Sequence, residues 1–143
     1  MIGIIGAIGT YGTLSWMTQT HFDISIKNRT NTAPITGASN IGGAIGTVRS
    51  EFYDGTYTIN VENFVNTGAI TTTGGSVSGV IGNVYCNDGN YNRDLTINIK
   101  NSANLGALEG TGSSGSALGE VTGFGPGSLK VTIDGFLNDG DIH

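Results

Sequence analysis

Four segments of the chain align with one another without a gap: ISIKNRTNTAPI (24–35), INVENFVNTGAI (59–70), INIKNSANLGAL (97–108) and VTIDGFLNDGDI (131–142). Each opens on an apolar pair: Ile24/Ile26, Ile59/Val61, Ile97/Ile99 or Val131/Ile133. An asparagine follows, at Asn31, Asn66, Asn104 and Asn138, and an apolar residue closes each segment, at Ile35, Ile70, Leu108 and Ile142. The second apolar residue stands nine residues before the closing one in every copy. Four copies with one spacing constrain the fold more than any bulk property does, because a repeat gives each unit the same side chain at the same place.

A second element alternates with the first: GIIGAI (3–8), GAIGTV (43–48), GVIGNV (79–84) and SALGEV (116–121). Its frame is Gly-x-apolar-Gly-x-apolar, with Ser116 replacing the first glycine of the last copy. The step from the first element to the second is nearly constant: Ile35 to Ile45 is 10 residues, Ile70 to Ile81 is 11, and Leu108 to Leu118 is 10. The return step varies: Ile5 to Ile24 is 19, Ile45 to Ile59 is 14, Ile81 to Ile97 is 16, and Leu118 to Val131 is 13. Length variation is tolerated in surface loops and not in a shared core. The two elements therefore read as scaffold, and the segment after the second element reads as a loop at one edge.

The alternation in INVEN and INIKN has period two, the mark of a half-buried strand. The Asn-x-Gly that follows in three copies is turn chemistry, since both residues accept positive φ; the first copy has Asn31-Thr32-Ala33 instead. Short strands and turns repeating every 36 residues or so predict an all-β fold, a β-solenoid of about four coils. Equivalent strands would stack about 4.8 Å apart. The apolar pairs would then form two ladders, and Asn31, Asn66, Asn104 and Asn138 a buried amide ladder. The glycines of the second element would let two walls approach closely. A β-sandwich of meandering hairpins is the alternative, although it does not require the same residue type at the same place four times. Residues 1–143 read as a single repeat array. No polar cap or proline-rich stop marks either end, so a segment of a longer array or a filament subunit is expected.

Composition narrows the classes. Glycine supplies 25 of 143 residues, with only two prolines and no three-residue period, which excludes collagen. Charged residues are 12% of the chain, and six basic against eleven acidic residues give a net charge of -5. The basic residues are scattered, unlike a nucleic-acid footprint. No apolar run reaches the roughly 20 residues of a membrane span. The apolar start, MIGIIGAIGTYG, lacks a basic leader region, and its glycine spacing recurs inside the chain, so it reads as repeat rather than as a targeting signal. Cys86, the one cysteine, has no intrachain partner and leaves two readings, a tolerated thiol or a bridge to another chain.

The Asn-x-Gly turn of Asn66-Thr67-Gly68, with the glycine elements Gly3–Gly6, Gly43–Gly46 and Gly79–Gly82, resembles the GLUG-type repeats of bacterial and protist surface proteins. The Cys-Tyr that often precedes the turn in such repeats is absent, and Phe64-Val65 stands there. The resemblance implies a secreted or surface-displayed, often adhesive, multi-repeat protein without catalytic residues.

Candidate sites are few. Tyr11, Trp16, Phe52, Tyr53, Tyr85, Tyr91 and Phe124, together with Phe22 and Tyr57, fall between a second element and the next first element. They would form an aromatic edge for sugar or protein contact, or cover the open side of a thin core. Asp88, Asn90, Asn92 and Asp94 alternate as calcium ligands do, but Arg93 replaces the loop glycine and no glutamate closes the set, so a metal site is not expected. Asn28-Arg29-Thr30 is an N-glycosylation sequon. His21 and His143 share no edge with a nucleophile and an acid, so neither enzyme chemistry nor a cofactor is expected. The sequence therefore points to a structural or adhesive repeat protein of a cell surface or extracellular filament, assembling through its ends. Its partners would be neighbouring repeats or further copies, with glycans or surface proteins as candidates. The competing reading is a carbohydrate-binding module using the aromatic edge.

Overall fold

β-Branched residues in alternation need a partner strand on each side, and in this chain the partner is always the equivalent segment of another repeat. The structure, a computed structural model, describes residues 5–9, 19–49, 54–85, 92–123 and 126–143. Strands β1 (Ile5–Gly9), β2 (Gln19–Asn31), β3 (Ile35–Gly37) and β4 (Ile41–Gly42) come first. The series returns as β5 (Ile45–Arg49), β6 (Asp54–Asn66), β7 (Ile70–Thr72) and β8 (Val77–Ser78). Its third passage is β9 (Ile81–Tyr85), β10 (Arg93–Lys100), β11 (Ala103–Asn104), β12 (Leu108–Glu109) and β13 (Ser114–Gly115). The last is β14 (Leu118–Thr122), β15 (Gly127–Asp134) and β16 (Leu137–Asn138). Among the described residues the fold is all-β, with no helix, and so none long and apolar enough to cross a membrane.

Four sheets result. The first has the order β1-β5-β9-β14, and the third and fourth are β12-β7-β3 and β13-β8-β4. The second joins β2, β6, β10 and β15, with β11 and β16 continuing it alongside the end of β6. Every pairing among the described residues is parallel. Hairpin meanders are antiparallel, so the sandwich alternative does not fit. The register joins equivalent residues of successive repeats: Ile24, Ile59, Ile97 and Val131 stand in one row, and Ile26, Val61, Ile99 and Ile133 in another. Ile5, Ile45, Ile81 and Leu118 form a third row. A one-residue slip would turn every one of these side chains to the other face of its sheet.

Two apolar clusters fill the space between the sheets. The larger lies between the first and second sheets and includes Ile45, Val48, Ile81 and Val84 facing Tyr57, Ile59, Val61, Leu95, Ile97 and Ile99. Burial of each such side chain contributes about 1.5–3 kcal/mol. The smaller joins the third and fourth sheets through Ile35, Ile70 and Leu108 against Ile41 and Val77.

Three features depart from the sequence reading. The segment after the second element is not loop throughout, because β6, β10 and β15 start at Asp54, Arg93 and Gly127. The reason is a further inward row, Phe22, Tyr57, Leu95 and Leu129, whose changing residue type hides it in an alignment. The short strands β4, β8 and β13 form a wall that the repeat did not announce. Positive φ falls on Asn28 (54°), Asn63 (53°), Asn101 (46°) and Gly135 (66°), not on the Asn-x-Gly turns. That left-handed residue shifts the inward side by one position: β6 buries Tyr57, Ile59 and Val61, then Phe64 and Asn66. It is the corner of the repeat.

Candidate functional site

The asparagine row occupies the narrow waist between the two apolar clusters. Asn31, Asn66, Asn104 and Asn138 are in register. Asn31 Nδ2 donates to Asn66 Oδ1 at 2.8 Å, Asn66 Nδ2 to Asn104 Oδ1 at 2.8 Å, and Asn104 Nδ2 to Asn138 Oδ1 at 2.9 Å. The same nitrogens donate to the carbonyl two residues on, at Ala33 (3.0 Å), Gly68 (2.9 Å), Gly106 (2.9 Å) and Gly140 (2.9 Å). Each amide thus closes its own turn, and those of Asn31, Asn66 and Asn104 also tie to the next strand. Asn66 and Asn104 are fully buried, where an unpartnered amide is expensive and a chain of amides polarises along its length.

Glycine makes the waist possible. A Cβ on Gly79 would stand 2.5 Å from the Asn104 Cβ and 2.6 Å from the Ser116 carbonyl oxygen. In the turns, a Cβ on Gly106 would lie 2.1 Å from the Gly68 carbonyl oxygen, and one on Gly140 2.1 Å from that of Gly106. These turn glycines answer to the backbone stacked beneath them rather than to positive φ.

The aromatic edge is only partly within view. Tyr11, Trp16, Phe52, Tyr53, Tyr91 and Phe124 lie outside the described residues, as does Cys86. Tyr85 is half-buried, with the Arg49 guanidinium 5.1 Å from its ring centre. Tyr57 is no edge residue: it is completely buried, and its ring centre lies 4.5 Å from that of Phe22, which itself packs on the core. Of the calcium candidates, Asp88 and Asn90 lie outside the described residues. Asn92 is exposed and its N–H donates to Asp54 Oδ1 at 2.6 Å, while Asp94 Oδ1 accepts from Ser128 Oγ at 2.7 Å. No group of three metal-binding side chains occurs among the described residues. Asn28 is exposed at the left-handed corner within β2, and its Oδ1 accepts from Asn63 Nδ2 at 2.9 Å.

Other polar features escaped the sequence reading. Ser102 Oγ accepts from the Phe64 N–H at 3.1 Å and donates to the Lys100 carbonyl at 2.8 Å, repairing the strand pairing that the corner interrupts. Glu120 accepts from Ser76 Oγ at 2.6 Å and from Asn83 Nδ2 at 3.1 Å. On the outer face of the second sheet, Lys27, Glu62, Lys100 and Asp134 form a row of alternating sign, with Lys27 Nζ 3.3 Å from Glu62 Oε2. A groove of about 300 Å³ runs beside it, lined by Lys27 and Lys100 with Glu62 as the one acid.

The final passage is incompletely covered. Ile133 is 48% exposed, Leu137 58% and Ile142 42%, whereas Ile99 and Leu108, one repeat earlier in the same rows, are fully buried. No family model, curated protein or solved structure matches the chain.

Proposed function

We propose that the four sheets are the walls of one continuous β-solenoid and that the protein is a structural or adhesive rod segment of a cell surface or extracellular filament. The observation that carries this reading is the constant register: each repeat meets the next through the same side chains in all four sheets. In such an array each coil contacts only its neighbours, so length is gained by adding coils. Residues are spent on stacking: glycine where backbones touch, amides at the waist, β-branched side chains in the core. The resemblance to GLUG-type repeats supports the surface location, and the exposed sequon at Asn28 is compatible with it. The reading is non-enzymatic and needs no cofactor.

The competing carbohydrate-binding reading makes the opposite demand on the aromatic residues. Trp16 is the one tryptophan, so its fluorescence reports on the segment that carries it. Titration with a panel of soluble oligosaccharides is expected to leave its emission unchanged. A saturable shift, lost on Tyr85→Ala substitution, would replace the structural reading with the carbohydrate one.

A further inference from the structure

The groove on the outer face of the second sheet is built by three neighbouring strands. In β2, β6 and β10 the outward residues Ser25, Asn60 and Asn98 form one row, and Lys27, Glu62 and Lys100 form the next, two positions along each strand. These six side chains line the groove. Val61 lines it too, but its side chain is buried in the core, so it presents backbone. The lining therefore offers an occupant no apolar side chain. Hydrogen-bonding capacity is left over. Asn98 Nδ2 donates to Asn60 Oδ1 at 2.9 Å, while Asn98 Oδ1 and the Ser25 hydroxyl have no partner among the described residues. Lys27 Nζ lies 3.3 Å from Glu62 Oε2 and keeps further donors. Lys100 makes no ion pair among the described residues, although Asp134 stands in register with it. On a chain with a net charge of -5, the groove sets two positive charges against one negative.

We propose that this groove binds an acidic saccharide, one that carries a carboxylate on alternate units. A sugar hydroxyl both gives and accepts hydrogen bonds, which suits a row of amide and hydroxyl groups with donors and acceptors to spare. The apolar side chains of a peptide would find no counterpart there. The charged row sets the spacing. Lys27 and Lys100 are two strands apart, about 10 Å, with Glu62 midway. Carboxylates at that interval each meet a lysine, and a neutral unit between them brings hydroxyl donors to Glu62. A carboxylate on the middle unit would meet Glu62 and be repelled. The ligand lies across the strands, along the direction in which the rows run. Exposed lysines hold an anion weakly, so binding is modest and falls with salt. The site needs only one sheet and none of the edge aromatics, so it goes beyond the rod reading and does not depend on it.

The test follows the side-chain amide signals of Asn60 and Asn98 by heteronuclear NMR of the whole chain. The probe is a hyaluronan oligosaccharide, in which glucuronate alternates with a neutral sugar. Both signals are expected to shift saturably. The carboxyl-reduced oligosaccharide, and an oligogalacturonate that is acidic at every unit, are expected to bind about tenfold more weakly. Lys100→Glu is expected to weaken hyaluronan binding about tenfold, and Lys100→Arg to leave it nearly unchanged. Glu62→Gln removes the repulsion at the middle unit and is expected to raise oligogalacturonate to the level of hyaluronan, a gain that misfolding cannot produce. Tyr85 lies in the first sheet, across the core, and Tyr85→Ala is expected to change nothing. Unmoved Asn60 and Asn98 signals, binding indifferent to Lys100→Glu, or oligogalacturonate binding as well as hyaluronan to the unsubstituted protein would each overturn the proposal and leave the rod reading untouched. Equal binding of polyglutamate would overturn it as well, because the groove would then select charge alone. Binding lost in Tyr85→Ala and kept in Lys100→Glu would overturn it in favour of the aromatic edge.

Discussion

At the scale of single residues, the asparagine row converts a polar side chain into a structural one. Asn66, itself fully buried, accepts from Asn31 and donates to both Gly68 and Asn104. Leucine has similar bulk and none of these bonds. Each buried group left without a partner costs about 1–3 kcal/mol, so Asn66→Leu is expected to lose about 3 kcal/mol in urea unfolding. Asn138 stands exposed at the end of the row, where water replaces lost bonds, and Asn138→Leu is expected to cost less than about 1 kcal/mol. Equal losses at the two positions would mean that the row is not held by its hydrogen bonds. Ser102→Ala isolates one further group, the buried Phe64 N–H, and about 1–2 kcal/mol is expected from the same measurement. The asparagine row was legible in the sequence because its residue type never changes. The serine was not, since arginine, phenylalanine and phenylalanine hold its place in the other repeats.

At the scale of elements, the corner decides how a long strand can serve two walls. On an unbroken strand Val61 and Asn66, five residues apart, would face opposite sides; both are buried because Asn63 takes a left-handed conformation between them. Asparagine and glycine tolerate that region and other residues do not, at about 1–2 kcal/mol, with β-branched side chains worst placed. Asn63→Gly is therefore expected to change the thermal midpoint little, and Asn63→Val to destabilise by about 2 kcal/mol. If both lower stability equally, the bond to Asn28 rather than backbone conformation holds the corner. The odd spacing between apolar pair and asparagine fits such a break, but the alternation alone reads as one strand leading to the Asn-x-Gly turn. Its location did not follow, because Asn-x-Gly is the more familiar turn signal and begins three residues further on. There, glycine is required by the carbonyl oxygen stacked against it, a contact between repeats that no single repeat reveals. The inward row Phe22, Tyr57, Leu95, Leu129 stayed hidden for the opposite reason: apolar bulk is kept there while identity changes.

At the scale of the whole molecule, a side chain in one of these rows packs on its equivalents in the neighbouring strands, so position along the row should matter more than residue type. Ile99 and Ile133 are the same residue in the same row, but Ile99 lies between Val61 and Ile133 and is fully buried, while Ile133 has a described neighbour on one side only and is half exposed. Truncating a buried isoleucine in a closed core costs about 2–5 kcal/mol. Ile99→Ala is expected to fall in that range at every protein concentration. Ile133→Ala is expected to cost less than about half as much in dilute solution, where its outer side faces water. Amide exchange should follow the same order, with β6 and β10, paired on both sides, better protected than β15. Equal penalties at Ile133 and Ile99 would mean that position along the row does not set what an isoleucine contributes.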